Sequence, residues 1–272
     1  MNMRKMISIA GVGTMVLAAV LFSTATAQAQ NAPSSNGQGG QGAQNGQGRG
    51  RGPAIDPAEE AGLKAFNSAT DPDAQIAAGE SFEQKYPNSR YIESVQGLLV
   101  NDYYTKNNWD KFYPEADKVL AKDPDNVPVL TLVGWVIPRV YKADDPAEPA
   151  KLDQSEKDEK HALELIGGMA KPPGLTDDQF NQAKASAAAQ AHSGLGMTYF
   201  RKNDFDGSAK ELQTATTESP DVDPTDLYVL GIDYQKLNRG SDASAAFTKC
   251  AAIPGAMQDR CKQLAMTTGA SH

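Results

Sequence analysis

The chain has 272 residues, enough for one large domain or two small ones, with 26 basic and 34 acidic side chains and a formal charge of −8. That acidity disfavours sequence-independent nucleic-acid binding, because phosphate contacts need a basic face. The only histidines are His161, His192 and His272, and none stands beside a second ligand at metal spacing, so no metal centre is expected.

Residues 1–30 read as a secretory signal. Arg4 and Lys5 supply the positive start, Met6 to Phe22 the apolar core, and Ala25-Thr26-Ala27 or Ala27-Gln28-Ala29 the small-residue cleavage site. The expectation is an exported protein, periplasmic or secreted, whose charge falls to about −10 once the two basic residues leave. An uncleaved anchor is the competing reading, since the apolar run approaches spanning length. No cysteine near the end of the segment supports a lipid-anchored N-terminus. Residues 31–55 form a linker rich in Gly, Gln and Asn, a composition too poor in apolar surface to order itself. A flexible tether of this size spans on the order of 25 Å. The two arginines of Arg49-Gly50-Arg51-Gly52 are too few for an RNA-binding segment.

From Asp56 onward apolar residues follow helical spacing, proline steps punctuate the helices, and no strand pattern persuades. The region 56–268 is therefore expected to be all-α. Two stretches share one template. Counted from Gly196, Tyr199 lies at plus 3, Phe205 at plus 9, Ser208 at plus 12, Leu212 at plus 16, Ala215 at plus 19 and Pro220 at plus 24. Gly231, 35 residues later, is followed by Tyr234, Ala243, Phe247, Cys250 and Pro254. Val100 repeats the pattern with Tyr103, Trp109, Phe112, Ala116, Val119 and Pro124. Leu63, Phe66, Gly79, Phe82 and Pro87 mark a degenerate first unit. A third begins at Val133-Gly134-x-x-Ile137, where Ala162, Ile166 and Met169 keep the internal spacing but arrive 16 residues late. Pro138 is expected to kink or end that unit's first helix early. One long helix follows over 176–202, opened by the capping box Thr176-Asp177-Asp178-Gln179. The expected units are 56–88, 91–125, 127–173, 189–220 and 224–254, closed by a cap helix over 256–267.

A period near 34, small residues facing an aromatic one turn away and a closing proline are the marks of a helix-turn-helix repeat, in which each pair needs a neighbour to cover its open apolar face. On these residues the chain resembles the tetratricopeptide repeat (TPR) family from about Asp56 to Met266. The run Phe82-Glu83-Gln84-Lys85-Tyr86-Pro87-Asn88-Ser89-Arg90-Tyr91 is similar to bacterial envelope-assembly members. The resemblance implies a right-handed α-solenoid whose first helices line a concave face. Residues beside the anchors would point there: Asn101, Tyr104, Trp135, Arg139, Met197, Arg201, Ile232 and Lys236. An aromatic floor with spaced cations would hold an extended peptide. In the other reading Trp135 and Met197 are covered by a neighbouring helix or by the insertion. The family's chaperone-tail clamp is not expected, because its places hold Gly97, Thr131, Ser193 and Tyr228.

Cys250 and Cys261 are equidistant from the turn at Ile253-Pro254-Gly255, so a helix hairpin brings them within reach, and export permits oxidation. A disulfide pinning the cap helix stands against two buried thiols. Redox catalysis is disfavoured, for no Cys-x-x-Cys pair exists. Asp221 to Asp226 lacks the glycine and glutamate of a calcium loop, so its aspartates read as caps. Asn203 to Gly207 reads as the turn inside a helix pair. No phosphate loop, nucleophile elbow or zinc-protease helix appears, and no cofactor is implied. The function expected is non-catalytic binding of protein or peptide partners in the envelope, without stable membrane insertion. A self-associating structural factor and an envelope hydrolase using paired acids are the alternatives.

Overall fold

A computed structural model describes residues 56–269. The signal, the linker with its Arg-Gly patch, and His272 lie outside the described residues. Within them the chain is all-helical, with eleven α-helices and no strand. The chain divides into two compact units, with the boundary in sequence between Val119 and Leu120.

The first unit holds α1 (Pro57–Ser68), α2 (Pro72–Lys85), α3 (Ile92–Thr105) and α4 (Trp109–Lys122), whose last turn crosses the boundary. Asp56 and Asp71 cap α1 and α2, accepting from the amides of Ala58 at 2.8 Å and Ala74 at 2.9 Å, each with proline at the first helical position. Phe66, Phe82, Val95, Leu99, Val100 and Phe112 make the core. A Cβ at Gly79 would lie 2.7 Å from Leu99 and 2.8 Å from Phe66, so glycine is what lets α2 sit against α1 and α3.

The second unit holds α5 (Val127–Val140), α6 (Glu148–Gly168), α7 (Asp177–Arg201), α8 (Phe205–Glu218), α9 (Pro224–Lys236), α10 (Gly240–Ala252) and α11 (Gln258–Gly269). Successive helices pack against one another, and α7 also lies against α5 and α9. The capping box at Thr176 and Gln179 is formed. Helix α7 packs its alanine-rich half beside α6, with Ala187 against Ile166, and pairs its C-terminal half with α8. Met197, Leu212, Leu230, Tyr234 and Phe247 form the core of the last repeats. Cys250 and Cys261 are bonded across the α10–α11 turn, Cα atoms 5.8 Å apart and both fully buried. The thiol alternative does not apply here.

Two expectations for the third repeat change. Helix α5 runs through Pro138 to Val140 rather than ending early. Proline has no N–H for the carbonyl of Gly134, four residues back, and that carbonyl instead accepts Ser155 Oγ at 2.8 Å. The insertion is also shorter than the apolar spacing implied. Leu212 and Phe247 sit on Gly196 and Gly231, each 16 residues on, whereas Glu159 sits on Gly134, 25 residues on. Nine residues are inserted, not sixteen, and they form the 141–147 connection and the first turns of α6.

Candidate partner-binding face

The expected face residues fall in both units. In the first, Asn101 is half-buried, and Tyr104 is buried with its ring 6.4 Å from that of Trp109. In the second, the last turns of α5 and α7 converge. Trp135 is half-buried, and the Arg139 guanidinium lies over its ring at 3.7 Å. Arg139 is itself 6% exposed. It donates to Ser193 Oγ at 2.7 Å, to Asp226 Oδ1 at 2.9 Å and to the Trp135 carbonyl at 3.1 Å, with Asp223 Oδ2 at 3.6 Å. Its charge is balanced inside the fold, so Arg139 is not open to a partner. Met197 is likewise withdrawn: fully buried, it packs with Leu212 of α8 and Val229 and Leu230 of α9. The covered reading holds for Met197.

Arg201 behaves differently. It is half-buried, its Nε donates to the Pro138 carbonyl at 2.7 Å, and its guanidinium lies 5.6 Å from the Tyr141 ring. Burial and then the neighbouring Arg139 push its pKa below the ordinary arginine value. Among the described residues no carboxylate reaches it. Ile232 is half-buried against the core of the last repeats, and the exposed Lys236 stands 5.9 Å from the Phe205 ring. On neighbouring surfaces the cations are matched instead: Lys202 meets Asp153 and Glu156 at 2.6 Å each, and Lys160 meets Glu156 at 2.6 Å.

Beneath this face lies a buried polar layer that apolar spacing did not reveal. Glu159 is fully buried between Gly134 and Gly194, where an added Cβ at either glycine would collide with its side chain. Neither of its oxygens meets a hydrogen-bond partner among the described residues. Burial drives its pKa well above the carboxylate range, Arg139 offsets part of this, and Asp158 adds to it. Asp226, read from sequence as a cap, is the buried partner of Arg139; Asp223 is the true cap, accepting from Thr225 at 2.8 Å. Burial raises the Asp226 carboxyl overall, against the pull of Arg139.

Two further contacts tie successive repeats. Ser155 gives its proton to Gly134 O and so accepts from Thr198 Oγ1 at 2.8 Å, while Ser208 donates to Asp233 at 2.6 Å. Thr198 and Asp233 both stand two residues past their anchor glycines, a polar recurrence present in the sequence among the apolar offsets.

Among the described residues no group of three His, Cys, Asp or Glu is arranged to hold a metal. His161 pairs with Asp125 at 2.7 Å and His192 with Glu211 at 2.6 Å. A shallow groove of about 410 Å³ between α6 and α7 is lined by Leu163, Ile166, Ala188, Lys184 and His192. No described helix is long and apolar enough to cross a membrane.

No protein-family model matches the chain, and no curated protein does. Solved structures similar to it include a thermophilic TPR protein in Thermus thermophilus, at 13% identity over 78% of this chain and 99% of that one, TM-score 0.49. The MamA RS-1 ArsTM double mutant is similar at 14% identity over 77% and 98% of the two chains, TM-score 0.48. The P58(IPK) TPR domain is similar at 12% identity over 78% and 65%, TM-score 0.32.

Proposed function

We propose that this chain is a non-catalytic adaptor that binds protein or peptide partners stoichiometrically, exported to the cell envelope by its N-terminal signal. One observation carries the reading. Near the ends of the first helices of the second unit, Trp135, Arg201, Ile232 and Lys236 keep part of their surface outside the fold, as apolar area beside cations that meet no acidic partner among the described residues. Aromatic surface next to a guanidinium is the composition of binding hot spots, the ring supplying buried area and the cation supplying directed hydrogen bonds. Glu156 is paired with Lys160 and Lys202, and Glu159 and Asp226 are sealed in the interior, whereas an acid–base reaction needs its carboxyls at a reachable surface.

The test is a crosslinking pull-down from the periplasmic fraction, comparing the intact chain with the double variant Trp135→Ala/Arg201→Ala. The adaptor reading predicts that specific partners are recovered by the intact chain and lost from the variant. Equal recovery of every partner by both removes this face from the account.

A further inference from the structure

Resting on the adaptor reading, we propose that Arg201 is the anchor for a carboxylate on a peptide partner, so that the adaptor selects acidic segments. Two arginines stand near the ends of α5 and α7, close enough for the charge of Arg139 to lower the pKa of Arg201. They have the same charge and different fates. Arg139 is enclosed by Ser193, Asp226, Asp223 and the Trp135 ring and carbonyl, which use its donors and balance its charge. Arg201 has one of its five donors assigned, Nε to the Pro138 carbonyl, and its electrostatic neighbours are another arginine and a tyrosine.

A half-buried cation facing a like charge has lost water without gaining an anion, and an incoming carboxylate relieves both penalties at once. Geometry supports this use. The Nε bond to a backbone carbonyl fixes the guanidinium plane, which leaves the two terminal nitrogens to receive a carboxylate. The Tyr141 ring stands 5.6 Å from the Arg201 guanidinium, and the Trp135 ring lies under neighbouring Arg139. An acidic residue with an apolar neighbour in the peptide would meet both. Arg201 is the cation of this pair that meets no carboxylate among the described residues, and one carboxylate is enough to pair it.

The test is selection of random peptides displayed on phage against the purified full chain and against Arg201→Gln. The wild-type chain is expected to enrich peptides carrying Asp or Glu beside an aromatic or aliphatic residue, and the variant to lose that preference. For one enriched peptide, fluorescence anisotropy should show at least a tenfold weaker Kd with Arg201→Gln. A similar loss is expected when the peptide acid becomes its amide, with little added loss when both changes are combined. Arg201→Lys should retain part of the affinity. A purely structural Arg201, holding the end of α5 through Pro138, would instead lower thermal stability and weaken acidic and amide peptides alike; that result overturns the proposal. Enriched peptides without acids overturn it too while leaving the adaptor reading intact. A wild-type chain that enriches no peptide contradicts the adaptor reading itself.

Discussion

Asp102, Glu159 and Asp233 place carboxyl groups in a dry interior, where the anion costs more than the acid. Burial lifts Asp102 to about 6 and Asp233 to about 7, the latter despite the hydroxyl that Ser208 offers it. A folded state that keeps its proton longer than the unfolded chain is favoured at low pH. The contribution of Asp233 is complete below its ordinary pKa of 3.8 and fades as pH rises to about 7. Glu80 acts in the opposite sense and only below 4.5, because the Lys111 hydrogen bond holds it down. Stability measured by urea unfolding should therefore decline between pH 5 and pH 7.5. Asp233→Asn keeps an acceptor for Ser208 without the charge, so it is expected to flatten that decline and to add about 1 to 3 kcal/mol at pH 7.5. An unchanged slope would show that Asp233 is ionised in the folded state. These acids were hard to read in advance because isolated acidic residues on helices are usually solvated; the signal lay in their shared offset from the anchors, Asp102 and Asp233 each two residues past one.

Three of the hairpin turns depend on one residue type. Asn107, Asn203 and Asn238 are the described non-glycine residues with positive φ, at 53°, 62° and 58°, and each stands seven past its anchor. Two residues end each helix together. The asparagine amide bonds back to Tyr104, Phe200 or Gln235, and the next amide bonds to the carbonyl of the template tyrosine, Tyr103, Tyr199 or Tyr234. Side chains other than Asn and Gly are strained in this conformation. Asn203→Ala should cost about 1 kcal/mol in a urea titration and Asn203→Gly close to nothing; equal losses would show that the asparagine side chain, not its backbone, matters. Apolar offsets, caps and prolines made these helix pairs legible from sequence alone. The third repeat was misread by seven residues because its core position holds Glu159, so the apolar pattern resumed only a heptad later, at Ala162 and Ile166. Tyr141 stands where the repeats anchored at Val100, Gly196 and Gly231 have asparagine, and there the chain leaves α5 extended, with φ −49° and ψ 133°.

At the scale of the molecule, the two units each build a core from neighbouring hairpins, and the second is closed by the Cys250–Cys261 bond that holds α11 on α10. In the chain-entropy picture a loop this short gives about 3 kcal/mol. The scaffold uses its buried charges as ties between repeats and leaves Trp135, Arg201, Ile232 and Lys236 partly outside it, and whether that surface is where partners sit is the central question. A photocrosslinking amino acid placed in turn at positions 135 and 232, and at 210 and 249 on the exposed sides of α8 and α10, answers it directly. The account predicts that the same partner is trapped from 135 and 232 and not from 210 or 249. Trapping with equal yield from all four, or from 210 and 249 alone, would contradict it.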